Sequence, residues 1–242
     1  MNDVLYLKDY SHWSEVRNYD VEALKIRAAY AKATEGDWFH DSLYGKHMWN
    51  FEERGVPSGA YHYYREGYDP KKQAWLFWQL AKTRTMRLPP ALDIESINNK
   101  RLDAGNIYRC LKEIEQMFGR KPIVYTGFFV WRDMMKSPTW STDYLLWLAT
   151  YNKMPMIPKP WTGWTIWQFN DAFGDENWFN GGDAELQKFM GETYHQAVLP
   201  EVVKPVNPTQ ETQKPTPLLT ARAKFKWIWN TKKKQWVQKK AG

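Results

Sequence analysis

Two acids close a short apolar run in Leu88-Pro89-Pro90-Ala91-Leu92-Asp93-Ile94-Glu95-Ser96. Side chains alternate across a β-strand, so Asp93 and Glu95, at i and i+2, face the same side. Their Cα atoms lie about 6.6 Å apart at the usual strand rise. Two carboxyls on one face repel each other and push one pKa up. A protonated acid beside an ionised one is what cleavage of a glycosidic bond requires. The acid protonates the leaving oxygen, and its partner stabilises positive charge at the sugar carbon or orients the attacking group. The plainer alternative is that Asp93 caps the following loop and Glu95 is solvated. Short acidic motifs recur by chance, so the spacing alone favours that alternative. A divalent-metal site is a weaker rival, because the surroundings are aromatic rather than acidic.

Two further acids stand where they could join the pair. Asp9 ends a first apolar segment, in Leu7-Lys8-Asp9-Tyr10-Ser11-His12-Trp13, and Asp183 lies in Asn180-Gly181-Gly182-Asp183-Ala184-Glu185. Each taken singly reads as a cap, since Asp is common at strand ends and before helices. In a closed barrel, however, the first and last strands are neighbours, and all four acids would then meet at one mouth.

The elements that must position these groups are legible as short apolar segments bounded by Gly, Pro, Asn or Asp. Strands are expected at Val4–Asp9, Ala28–Ala33, Gly59–Tyr64, Ala91–Glu95, Ile123–Thr126, Leu145–Ala149 and Thr165–Phe169. Helices fall between them. Asp69-Pro70 is an N-cap followed by proline at the first helical position, with Ala74, Trp75, Phe77, Trp78 and Ala81 behind it. A second helix starts at Asp103, carries the stripe Ile107, Cys110, Leu111, Ile114, Phe118, and stops at Gly119. Strands alternating with helices over residues 1–196 predict an α/β fold, an irregular and compact (β/α) TIM-like barrel, with an open doubly wound sheet as the alternative. Catalytic groups of such a barrel sit at the C-terminal ends of its strands, where Asp9 and the Asp93/Glu95 pair are.

Composition is that of a soluble globular chain: 242 residues, 43% hydrophobic and 25% charged. The aromatic share, 17% with 15 Trp, calls for a large core or a surface that stacks on flat partners such as sugars or bases. One cysteine, Cys110, excludes an internal disulfide and reads as a core thiol; no Cys/His spacing suggests zinc. The net charge of +7 belongs to the end of the chain. Residues 218–242 carry eight Lys and Arg and no acid, which leaves −1 for the remainder. Between the two, residues 197–217 hold five prolines and read as a semi-rigid linker.

With these residues in view, the chain resembles the glycoside hydrolase family 25 lysozymes, the Chalaropsis-type muramidases common among bacteriophage endolysins. The blocks run in family order over about residues 3–190. They are Asp9-Tyr10-Ser11, Ala60-Tyr61-His62-Tyr63, Leu92-Asp93-Ile94-Glu95, Val124-Tyr125-Thr126-Gly127, Leu146-Trp147-Leu148-Ala149 with Tyr151, Ile166-Trp167-Gln168-Phe169, and Gly182-Asp183. The chain departs from the family pattern at Leu7, where Gly is usual, and at Tyr10, where a small aliphatic residue is usual. The resemblance implies peptidoglycan as substrate and cleavage of the β-1,4 bond between N-acetylmuramic acid and N-acetylglucosamine. It implies Glu95 as general acid and Asp93 as the group that polarises the substrate's acetamido or steadies the cation. Asp9 and Asp183 would fix the geometry, while Tyr63, Tyr125, Trp147, Tyr151 and Gln168 would line the sugar subsites. For Trp147 core packing is an equal alternative, and His62 reads as a structural histidine. No cofactor and no metal are implied. The i, i+2 spacing leaves open whether the reaction inverts or retains; the substrate's own acetamido nucleophile favours retention by substrate assistance.

The last segment, 218–242, alternates Phe225, Trp227 and Trp229 with polar and basic residues and suggests a short β-hairpin. The favoured partner for it is an anionic cell-wall polymer; nucleic acid or a membrane surface held by charge, and a solvated extension without a partner, are the alternatives. No nucleic acid is expected as a partner of the whole protein, and no stable membrane insertion. A monomer is expected. Residues 1–13 lack the pattern of a signal peptide, so the expectation is a lysin made in a host cytoplasm that reaches the wall after release, with a non-classical bacterial export route as an equal alternative. Two rival functions are a barrel that binds wall glycan without cleaving it, and a hydrolase of another amino-sugar polymer such as chitin.

Overall fold

The computed structural model describes residues 3–96, 101–172 and 174–191, with the backbone of 225–230 and 235–240. Eight strands close a barrel: β1 (Val4–Tyr10), β2 (Ala28–Glu35), β4 (Ser58–Tyr63), β5 (Ala91–Ile94), β6 (Ile123–Gly127), β7 (Leu146–Ala149), β8 (Ile166–Asn170) and β9 (Glu176–Asn180). A two-residue strand, β3 (Phe39–His40), pairs antiparallel with β2. From β1 to β8 each neighbouring pair is parallel. β9 runs the other way and is antiparallel to both β8 and β1, so the ring closes through a reversed strand. The expected barrel is present, and its irregularity lies there and in the β6–β8 connections. Those carry only a π-helical turn at Val130–Met134 and a 3-10 turn at Thr139–Asp143.

Local chemistry explains the regular parts. Asp69 accepts from the Lys71 and Lys72 amides and Pro70 opens α3 (Pro70–Ala81), as the sequence predicts. Asp103 caps α4 (Ala104–Phe118) from the Gly105 and Asn106 amides, and Gly119, at φ 63°, ends it in the left-handed region that glycine adopts without strain. All five residues of the predicted α4 stripe are buried. Three shorter helices, α1 (Tyr19–Ala23), α2 (Tyr44–Glu53) and α5 (Asp183–Met190), complete the described domain.

Strand alternation separates two packing layers. Leu92, Ile94, Val124, Leu146 and Leu148 point outward and join one core with Phe77, Ile107, Cys110 and Ile114 of α3 and α4. The other face of the strands points inward: Leu7, Tyr30, Ala91, Tyr125, Trp147, Ile166 and Phe179 fill the barrel, and Leu186, Phe189 and Met190 of α5 pack against them. The departures at positions 7 and 10 follow this division. Leu7 is core inside the barrel, whereas Tyr10 packs outward on Phe51 and donates its hydroxyl to Glu22 at 2.8 Å.

The linker expected at 197–217 lies outside the described residues. At the end of the chain Phe225–Asn230 and Gln235–Lys240 pair antiparallel, in the hairpin that the alternation predicts.

Candidate active site

The same period of two that fills the barrel places polar side chains at its mouth. Register makes Tyr63, Asp93, Tyr125 and Trp147 direct neighbours across β4 to β7, and Gln168 and Asn177 neighbours across β8 and β9. Tyr125 and Trp147 form the top of the barrel filling, and Tyr63 and Asp93 stand towards the mouth ends of their strands beside them. The resulting pocket has a volume of about 250 Å³, with Asp9, Asp93, Glu95, Lys32, Tyr125 and Asp175 among its walls.

Asp9, on β1, is held by a network that gathers four other strands. Asn177 Nδ2 donates to Asp9 Oδ2 at 2.8 Å, and Gln168 Nε2 donates to the same oxygen at 3.2 Å. Gln168 in turn accepts from the hydroxyls of Tyr125 (2.7 Å) and Tyr151 (3.0 Å), while Trp147 Nε1 donates to Asn177 Oδ1 at 2.7 Å. Amides donating to a carboxylate favour its charged form, but burial outweighs them here. Together with the nearby charge of Asp175, burial pushes Asp9 up to about 8.

Glu95 stands across the pocket. Tyr63 donates its hydroxyl to Glu95 Oε2 at 3.1 Å. The Tyr63 ring carries two cations, Lys32 Nζ and the Arg65 guanidinium, each 4.8 Å from its centroid. Both cations are tied to Glu35, which accepts from Lys32 at 2.6 Å and from Arg65 Nε at 2.7 Å. Burial raises the Glu95 pKa, while the Tyr63 hydrogen bond and the charge of Lys32 oppose the rise. Asp93 is buried and held well above the usual carboxylate range, first by burial and then by the charge of Glu95. Its Oδ1 is buried with no hydrogen-bond partner, an arrangement that costs stability unless a ligand supplies the donor.

The sequence-predicted residues divide accordingly. Asp9, Asp93, Glu95, Tyr63, Tyr125, Trp147 and Gln168 all line the pocket. Trp147 is both things considered for it, a core residue of the barrel and the pocket floor. Tyr151 is half-exposed at the rim and reaches the site through Gln168. His62 is fully buried, bonded to Thr34 at 2.8 Å and lying 3.3 Å from Gln73, and burial lowers it to about 4, as befits a structural histidine. Asp183 is a correction. It opens α5 and pairs with Arg27, the residue just before β2, so it lies at the base of the barrel with its side chain 63% exposed. The reason is the reversed strand: Asn180, at the end of β9, is registered with Val4 at the start of β1. The acid that β9 delivers to the mouth is the one before it, Asp175, half-buried and raised to about 6 by burial and the charge of Asp171.

Sequence reading also passed over Lys32, Glu35, Asn177 and Trp13. For the first two a signal existed: Lys32 and Glu35 are charges at the end of an otherwise apolar strand, Ala28–Glu35. Asn177 sits in Glu-Asn-Trp-Phe-Asn, which reads as a loop until its pairing with β1 and β8 is known.

A parallel-stranded barrel whose mouth gathers raised carboxylates above an aromatic floor has the construction of a glycoside hydrolase. The family model for glycosyl hydrolases family 25 matches residues 8–177, and the chain belongs to that family. Among curated relatives it is 28% identical over 200 residues to the uncharacterized protein YegX of Escherichia coli K12, covering 78% of this chain and 72% of that protein. It is 27% identical over 218 residues to Lysozyme M1 of Streptomyces globisporus, covering 76% and 71%. Among solved structures, the muramidase from Trichobolus zukalii superposes with a TM-score of 0.71 at 28% identity, over 78% of this chain and 100% of that one.

Proposed function

We propose that this family 25 hydrolase is a muramidase that cleaves the β-1,4 bond between N-acetylmuramic acid and N-acetylglucosamine in peptidoglycan. The observation that carries the reading is the buried, unpartnered Oδ1 of Asp93 beside a raised Glu95. An amino sugar seated in the pocket brings an acetamido N–H, which Asp93 can accept. That bond turns the acetamido carbonyl oxygen toward the anomeric carbon and supports the positive charge it gains on attack. Glu95, whose hold on its proton burial strengthens, gives that proton to the departing glycosidic oxygen. Once the leaving sugar has gone, the same carboxylate takes a proton from water as it opens the cyclic intermediate. Asp175, raised only to about 6, adds negative charge near the cationic transition state, while Asp9 anchors Gln168 and Asn177 in the wall of the site. Tyr63, held by the Lys32–Glu35–Arg65 clamp, sets the direction of the Glu95 carboxyl.

Release of new reducing ends from purified peptidoglycan, alongside Glu95→Gln, tests the assignment. Wild type should release them, and the variant should lose at least about a hundredfold in rate. Equal activity would sink the role of Glu95. Release from chitin but not from peptidoglycan would favour the chitinase alternative, and tight wall binding without release would favour the non-catalytic one.

The finer biological reading is a phage lysin that attacks the host wall from within. The basic aromatic composition of residues 218–242, which suits anionic wall polymers, supports it. Cytoplasmic expression in a susceptible host followed by chloroform permeabilisation of the membrane should clear the culture. A culture that stays turbid after permeabilisation overturns this role.

A further inference from the structure

The mouth is flanked by two further cavities, and the four acids are shared between them unequally. Asp9 and Asp175 also line a cavity on the β1 and β9 side, which reaches Trp13. Glu95 alone of the four lines the cavity on the other side, a space of about 510 Å³ between the loops that follow β2, β4 and β5. A general acid must touch the oxygen that joins the retained sugar to the leaving one. The carboxylates that steady the cation belong beside the retained sugar. The acid that borders the outer cavity therefore marks where the leaving sugar goes.

That cavity is built for a sugar face. Its walls include Trp38, 52% exposed, and Tyr68, 46% exposed, with ring centroids 4.5 Å apart and planes 45° to each other. Rings of this size left half in water form a platform for a flat apolar surface. The platform is also fixed in place. Gly36 has φ +56° and donates its amide to Tyr63 O at 3.1 Å, and a Cβ at Gly36 would run into the Trp38 ring. Trp38 is thus laid over bare backbone on a loop anchored to β4, the strand that carries Tyr63. Arg101 on the same wall adds a cation for an acidic neighbour of that sugar.

We infer that Trp38 and Tyr68 form the leaving-group subsite and stack on the N-acetylglucosamine released by cleavage, with the next muramic acid beyond it, so that the glycan lies across the mouth with its reducing end over the β2–β4 loops. This rests on the muramidase reading with Glu95 as the acid, and the test separates the two. The probe is the disaccharide N-acetylglucosaminyl-β-1,4-N-acetylmuramitol. Its opened terminal sugar prevents it from filling the retained site, but its intact N-acetylglucosamine ring can occupy the leaving site. It should inhibit wild type competitively and quench tryptophan fluorescence. Trp38→Ala/Tyr68→Ala should weaken inhibition at least about tenfold, and Tyr68→Ala alone, at a half-exposed position, should weaken it less. Gly36→Ala should act in the same direction by displacing the Trp38 ring. Trp13→Ala should leave the inhibition constant unchanged. If the wild type is active and the double variant is inhibited as strongly as wild type, or the probe does not inhibit, the subsite is wrong. If Trp13→Ala is the variant that escapes inhibition, the glycan runs the opposite way. A wild type that releases no reducing ends from peptidoglycan overturns the muramidase reading, and this inference with it.

Discussion

Asp175 and Asp183 flank the same five-residue strand, and the protein treats them in opposite ways. Asp175 enters β9 at the mouth, half-buried among like charges, and its pKa rises to about 6. Asp183 follows β9 at the base, in water, where Arg27 pairs with it and where it opens α5, the favoured end of a helix for an acid. One strand direction separates the two fates. At the mouth, burial and repulsion disfavour the charged carboxylates and make them hold their protons; at the base, an acid has a counter-ion and solvent. The mouth spends stability on reactivity, and the base does not.

The widest gap between the two ends should appear in turnover. Asp9→Asn and Asp175→Asn are each expected to lower kcat on peptidoglycan by about ten- to a hundredfold, whereas Asp183→Asn should stay within about twofold of wild type. Reducing-end assays on the three variants check this, and a Asp183→Asn loss equal to that of Asp175→Asn would break the contrast.

Stability should move the other way. A carboxyl raised in the folded state binds its proton more tightly there than in the unfolded chain. For Asp9, raised to about 8, stability is therefore highest at low pH and declines as pH climbs from about 4 to about 8. Asp9→Asn removes that decline while keeping an acceptor for Asn177 and Gln168. Its melting temperature should exceed that of wild type near pH 8 by on the order of 5 °C, and the gain should vanish near pH 4. Asp183→Asn breaks only an exposed ion pair and should change stability by less than about 1 kcal/mol. Melting curves across that pH range decide the matter; a gain that does not depend on pH would argue against a buried charge at Asp9.

A smaller effect probes the clamp around Tyr63. Glu35 neutralises Lys32 and Arg65, so Glu35→Gln leaves their positive field on Glu95 unopposed and should lower its pKa. Because Glu95 acts in its protonated form, the alkaline limb of the kcat/KM profile should shift to lower pH. Lys32→Met should shift the same limb to higher pH. Shifts in one common direction, or no shift in either variant, would remove the clamp from the mechanism.

The smallest expected change concerns the end of the chain. Truncation at residue 200 should leave turnover of short soluble glycans within about twofold and weaken retention on purified walls. If the shortened protein binds walls as well as the full chain does, residues 218–242 have no targeting role.

Much of this was legible before any coordinates. The alternation in Ala91–Glu95 placed Asp93 and Glu95 on one face, and the Asp103 cap and Gly119 stop bounded α4. These depend on neighbours within a few residues, and local sterics and hydrogen bonding suffice to decide them. The partners of Asp9 were another matter: Gln168 and Asn177 lie 159 and 168 residues away. Glu176–Asn180, with polar residues at three of five positions, lacks the apolar run that announces a strand.

Sequence by itself determined the strand and helix pattern of the barrel and the shared face of the Asp93/Glu95 pair, because each is written in short periodic patterns; the aromatic lining was implied by the resemblance to family 25. Tertiary structure alone decided that β9 runs backwards, and with it that Asp175 rather than Asp183 closes the site. Strand direction is set by pairing with β1 and β8 across the whole chain, and no local pattern encodes which end of a closing strand will face the mouth.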